Sequence, residues 1–192
     1  MCICDEITKL TQIECESFDA KDITTFKGGG AIKHAFVPKN MREFLNLLCA
    51  FEVLGAQTFL LGGGSNVLIM DGVVDTPVIY TKNLNKIRIA NGMVFAECGA
   101  KIGDIARIAR EYALGGLEFA AGVPLSLGGA LKMNASAFGH GICDVVESVF
   151  VFSSRAHDMR ERDSAHTPVH SLQYVVRETK KDGHEGRLFS WL

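Results

Sequence analysis

Two glycine-rich stretches hold the residues best suited to chemistry. Leu61-Gly62-Gly63-Gly64-Ser65-Asn66-Val67 lies between two apolar runs, and Gly122-Val123-Pro124-Leu125-Ser126-Leu127-Gly128-Gly129-Ala130 comes well downstream, followed by Met133-Asn134-Ala135-Ser136-Ala137-Phe138-Gly139. Successive glycines accept positive φ and turn several backbone N–H groups inward, which is how a chain builds an anion nest for phosphate. Two such loops can grip one pyrophosphate from two sides. Glycine turns between strands are common, so the first loop taken alone fits a plain tight turn equally well.

Neither the GxGxxG fingerprint nor the GxxxxGK[ST] loop fits the first stretch. The residues after it, Val67-Leu68-Ile69-Met70, read as a strand. No helix dipole is then on offer, and the backbone amides must hold any phosphate themselves.

The elements that position these loops follow from hydrophobic spacing. A short strand is expected over residues 35–37, then a helix that starts at Asn40 with Glu43 three residues on. Phe44, Leu45, Leu48 and Phe51 share one face of that helix as far as Leu54. A strand over residues 58–61 leads into the first loop, giving a β-α-β pattern. Residues 78–80 read as another strand, and residues 86–90 and 93–96 join through Asn91-Gly92 as a two-residue hairpin. Ile102, Ile105, Ala106, Ala109, Tyr112 and Ala113 space out as an amphipathic helix stopped by Gly115-Gly116. A last strand over residues 145–152 precedes a polar tail with four of the six histidines. His166 and His170 stand four apart, but Pro168 between them argues against a helix and for solvated side chains.

The whole chain sets wider bounds. Its 192 residues, 47% of them hydrophobic, suffice for one domain or two small lobes. A net charge of -2 from 20 basic and 22 acidic residues leaves no global footprint for nucleic acid or an anionic membrane. The first residues lack the basic and apolar regions of a signal peptide, and no run of eighteen apolar residues occurs, so the cytoplasm is the expected location. With no secretory signal, the six cysteines are expected as reduced thiols. Cys2-x-Cys4 has metal-ligand character, but no second ligand pair at zinc spacing accompanies it, and no metal is expected.

Four linked motifs identify a family. Thr25-Phe26-Lys27-x-Gly29-Gly30, Leu61-Gly62-Gly63-Gly64-Ser65-Asn66, Gly116-Leu117-Glu118-Phe119-x-x-Gly122-Val123-Pro124 and Gly128-Gly129-Ala130-x-x-Met133-Asn134-Ala135 resemble, in order and spacing, UDP-N-acetylenolpyruvoylglucosamine reductase. The resemblance covers roughly residues 20–152. It implies an α+β, two-lobed FAD-binding fold of the PCMH-type flavin oxidase/reductase class, with loops of both lobes on the cofactor. Residues 1–19 would precede a small lobe at 20–80, a second lobe at 81–152 and a divergent tail at 153–192. Gly62, Gly63, Gly64, Ser65 and Asn66 would contact FAD from one lobe. Gly122, Val123, Pro124, Ser126, Gly128, Gly129, Asn134 and Gly139 would approach from the other. Ser65 and Ser126 add hydroxyls, and Asn134 can bond through either end of its amide.

In such reductases NADPH delivers a hydride to FAD, and the reduced flavin reduces the enolpyruvyl double bond of a UDP-sugar, forming UDP-N-acetylmuramate for peptidoglycan. The family uses an arginine, a serine acid and a glutamate beside the flavin. The serine and glutamate belong to a C-terminal substrate domain with no counterpart here. The arginine normally stands in a Tyr-Arg-x-Ser sequence; Tyr174-Val175-Val176-Arg177 matches it poorly, which leaves Arg177 as the candidate and Arg187 as a weaker one.

Departures inside the motifs bear on the cofactor. Leu125 and Ser136 replace expected glycines, and if those positions need positive φ, a side chain there costs about 1 kcal/mol or more. Gly141 stands where the family usually has a glutamate. A non-catalytic FAD-binding module therefore stays open beside the reductase. A two-lobed flavin oxidase is a further alternative, although His34 and His140 lie in no covalent attachment motif.

Overall fold

The computed structural model describes residues 2–153, 158–162 and 187–191. Arg177, His166 and His170 lie outside the described residues. The chain divides into two compact units, Met1–Leu84 and Asn85–Leu192.

The first unit opens with helix α1 (Ile3–Thr11) and strand β1 (Cys15–Asp19), in a stretch whose sequence gives no clear pattern. The short helix α2 (Ala20–Ile23) leads to β2 (Ala31–Phe36). Helix α3 (Met41–Val53) starts where its cap residues require. The Asn40 side-chain oxygen accepts the Glu43 N–H at 3.0 Å, and the Glu43 carboxylate accepts the Lys39 N–H at 2.8 Å. Two otherwise orphaned donors are thereby satisfied. Strand β3 (Phe59–Leu61), the two-residue β4 (Val73–Val74) and β5 (Val78–Tyr80) complete the unit.

Strands β2, β5 and β3 run parallel in that order, with β1 antiparallel on the outer side of β2 and β4 pairing with β2. Helix α3 makes the crossover from β2 to β3. Phe36 and Phe51 meet edge to face, ring centroids 5.7 Å apart, and Ile7, Phe44 and Leu47 are buried as well. A smaller cluster of Ile32, Ala35, Leu61 and Val78 is closed by Phe18, Val67 and Ile69. The strand expected over residues 67–70 does not form, because Val67 and Ile69 are spent closing this cluster and the Met70 carbonyl accepts the Gly30 N–H.

In the second unit, β6 (Ile87–Ala90) and β7 (Met93–Glu97) form the expected hairpin, with Asn91 and Gly92 at φ 52° and 72°. That pair of positive φ values is the primed turn that Asn-Gly favours. Helix α4 (Ile102–Glu111) buries Ile102, Ile105 and Ala109. It ends ahead of Gly115, with Ala113 carrying the left-handed turn at φ 55°. A 3₁₀ turn at Glu118–Ala120 precedes α5 (Leu127–Met133), the small hairpin β8 (Ser136–Ala137) and β9 (His140–Gly141), α6 (Ile142–Val145) and β10 (Val146–Ser153).

Strands β11 (Asp158–Arg162) and β12 (Arg187–Trp191) come from the polar tail and join the second sheet, whose order is β11-β10-β12-β7-β6. Strand β12 lies parallel between β10 and β7 and bridges them. Arg187 opens that strand, opposite Met93. Beneath the sheet, Val94, Ile105, Leu127, Ala130, Ile142, Val146 and Val149 form one buried core. Among the described residues, no helix is long and apolar enough to cross a membrane.

Candidate functional site

The first glycine loop leaves the end of β3 as a run of bends over residues 62–66. Its entry is pinned: the buried Leu61 carbonyl accepts both the N–H and the hydroxyl of Thr81, at 2.9 and 3.2 Å. Gly64 sits at φ 65° against the chain that leaves α2, and an added Cβ would strike the Ile23 carbonyl oxygen. Its carbonyl accepts the Thr25 N–H at 3.0 Å. The Thr25 and Ser65 hydroxyls are 2.7 Å apart. Thr25 thus fixes Ser65, while Gly63 and Asn66 stay exposed at the rim.

The Gly28-Gly29-Gly30 segment next to Thr25 is shaped by close approach. The Gly30 N–H donates to the Met70 carbonyl at 2.9 Å and the Ala31 N–H to that of Gly72 at 2.8 Å. A Cβ on Gly29 or Gly30 would meet the backbone of Ile69 or Gly72. Two sequence motifs therefore form one clasp, in which the second shapes the loop of the first. Sequence reasoning identified Thr25 as part of a motif but assigned it no task.

In the second unit, Gly122 (φ 81°) is exposed and no atom lies within 4 Å of where its Cβ would be. Val123 and Pro124 carry the chain to Ser126, which is 3% exposed and pairs across to Lys101. The Leu127 N–H donates to the Ala100 carbonyl at 2.8 Å and the Gly128 N–H to that of Cys98 at 2.7 Å. These two amides at the start of α5 are committed within the fold. Gly129 is exposed one residue further on.

Asn134 ends α5 in the left-handed conformation at φ 46°, and the Ala135 N–H reaches back to the Ala130 carbonyl at 2.9 Å. Its side-chain oxygen accepts the Cys143 N–H at 3.3 Å. With that oxygen engaged, the Asn134 NH₂ is its group for an outside acceptor. Phe138 and Gly139, at φ 54° and 81°, turn the β8–β9 hairpin, and Phe138 is 91% exposed.

The strain expected at Leu125 and Ser136 does not arise. Neither residue has positive φ. Leu125 packs on the core while its carbonyl accepts the Ile102 N–H at 3.0 Å, and Ser136 pairs with Gly141 in the small hairpin. Gly141 in turn donates its N–H to the Asp144 carboxylate at 2.7 Å, at the start of α6. Arg177 lies outside the described residues, so no carboxylate-polarising cation is assigned from the structure.

Both glycine-rich regions thus present exposed backbone, Gly63 and Asn66 in one unit and Gly122, Gly129 and Gly139 in the other. Open space at the Cβ positions of Gly122 and Gly139 fits a ligand approaching the main chain closely. Each region taken by itself offers groups suited to phosphates and hydroxyls, amides with the Ser65 hydroxyl in the first unit and amides with the Asn134 carboxamide in the second.

The profile of the FAD binding domain family matches residues 32–156, a span that includes both glycine-rich regions. The chain belongs to this family of FAD-binding domains. It is 42% identical over 127 residues to the UDP-N-acetylenolpyruvoylglucosamine reductase of Borrelia garinii subsp. bavariensis, covering 66% of this chain and 42% of that protein. With the reductase of the same name from Borreliella burgdorferi it shares 39% over 142 residues, 73% of this chain and 47% of the other. The chain spans a little under half the length of these relatives. The crystal structure of UDP-N-acetylenolpyruvylglucosamine reductase from Thermus caldophilus matches with a TM-score of 0.64 and 26% identity, over 78% of this chain and 52% of that one. Glucooligosaccharide oxidase from Acremonium strictum has a TM-score of 0.63 at 11% identity, over 82% of this chain and 36% of the other, a likeness of fold alone. The α+β fold is that of two-lobed FAD enzymes.

Proposed function

We propose that this chain is the FAD-binding portion of a UDP-N-acetylenolpyruvoylglucosamine reductase, an NADPH-driven enzyme of peptidoglycan precursor synthesis acting on a UDP-sugar in the cytoplasm. One observation carries the reading: a continuous stretch 42% identical to such a reductase accompanies two regions of exposed glycine backbone built by the fold. When bound, FAD supplies the redox chemistry, taking a hydride from NADPH and passing it to the enolpyruvyl double bond.

The chain's own residues hold and orient. The amides of residues 62–66 face the pyrophosphate, with Ser65 set by Thr25 to donate or accept a hydroxyl hydrogen bond. In the second unit Gly122, Val123, Pro124, Ser126, Gly128, Gly129, Asn134 and Gly139 are the candidates for contact with FAD, the Asn134 NH₂ donating to a cofactor oxygen. Arg177 is the candidate for polarising the substrate carboxylate.

The test is anaerobic addition of NADPH to the chain saturated with FAD. Bleaching of the flavin bands is expected. Because the serine and glutamate motifs have no matching positions in these 192 residues, subsequent addition of the enolpyruvyl UDP-sugar is expected to leave the flavin reduced. A bound flavin that NADPH leaves oxidised would favour the second reading, a non-catalytic FAD-binding module.

A further inference from the structure

The fold gathers three thiols and an imidazole that belong to neither glycine-rich stretch. Cys2 caps α1 and Cys4 lies in its first turn; Cys15 opens β1, and His34 stands on β2. In the β1–β2 ladder Cys15 faces Phe36, which makes His34 its diagonal neighbour. The Cys15 sulfur lies 3.7 Å from His34 Nδ1. Ligand atoms of Cys2, Cys4 and His34 all fall within 4.8 Å of one another.

We propose that Cys2, Cys4, Cys15 and His34 form a structural site for a soft divalent cation, zinc above others. Three sulfurs and one imidazole are a recurrent zinc set, and bonds of about 2.3 Å to sulfur and about 2.0 Å to nitrogen put tetrahedral ligand atoms roughly 3.5–3.8 Å apart. Cys2, Cys4 and His34 need only a small contraction, whereas Cys15, placed by its 3.7 Å approach to His34 Nδ1, must swing toward the other two sulfurs to complete the shell. Four protein ligands close the shell, so the ion would tie α1 to the β1–β2 ladder rather than act on substrate. The Cys2 N–H donates to the Asp5 carboxylate at 3.2 Å, which steadies the most exposed ligand. Zinc would displace the thiol protons on binding.

The test is titration of the reduced, chelator-treated full chain with Co²⁺, followed by Zn²⁺. One equivalent of Co²⁺ is expected to give the ligand-field bands of a tetrahedral sulfur-rich site, which Zn²⁺ abolishes, and Zn²⁺ is expected to raise the melting temperature. Cys15→Ser and His34→Ala should each weaken binding at least tenfold, and Cys49→Ser should not change it. Cys2 is exposed, so Cys2→Ser tests the site without disturbing the core. Absence of the cobalt bands in the wild-type chain, octahedral cobalt, binding unaffected by Cys2→Ser, or a Cys4–Cys15 disulfide whose reduction restores no cobalt binding would each overturn the proposal.

Discussion

Gly64 and Leu125 show how the side chain, or its absence, at a single position shapes the glycine loops. Gly64 has no room for a methyl group beside the Ile23 carbonyl, and its φ of 65° disfavours any other residue. Gly64→Ala is expected to destabilise the first unit by about 2 kcal/mol or more, read as a lowered urea midpoint. Leu125 has the opposite status, because its backbone is unstrained and its side chain covers core. Restoring glycine there, Leu125→Gly, should cost about 1–3 kcal/mol in chemical denaturation; a stabilised variant would show that the position is strained after all. Thr25 acts through Ser65, and Thr25→Val removes the 2.7 Å contact. Its FAD dissociation constant should rise about tenfold while unfolding shifts by about 1 kcal/mol or less. Unchanged FAD affinity would detach Thr25 from the cofactor.

At the scale of the element, the sequence shows best those parts whose partners lie close in the chain. The start of α3 is written in Asn40 and Glu43, the β6–β7 turn in Asn91-Gly92, and the buried face of α4 in Ile102, Ile105 and Ala109. Asn40→Ala should therefore cost about 1 kcal/mol of stability, measured by denaturant unfolding. Features set by distant pairings were not legible. Apolar residues 67–70 look like a strand but are drawn onto a loop by the carbonyl contacts of Met70 and Gly72 with the Gly30 segment. The amides of Leu127 and Gly128 look free in a glycine-rich loop, yet the chain at residues 98–100 takes both. Cys15 and His34 join Cys2 and Cys4 only through the β1–β2 ladder, which no spacing in the sequence reveals.

At the scale of the whole molecule, each unit has its own sheet and core. The second sheet depends on a strand from the far end of the chain, since β12 is the neighbour that β7 and β10 share. A chain ending after Ser153 should lose amide protection in β7 and β10 while β2 and β5 keep theirs, as followed by hydrogen exchange. Equal loss in both sheets would mean that the units unfold as one. The glycine motifs made the FAD-binding class legible from the sequence, while the contribution of the tail was hidden by its polar composition. The functional reading stands or falls with FAD binding by these loops. Equilibrium dialysis of the purified chain against FAD, with the absorbance of the retained flavin recorded, tests it most directly. One FAD per chain is predicted, with weaker retention by Thr25→Val; a colourless chain that retains no FAD, while its circular dichroism shows it folded, would contradict the account.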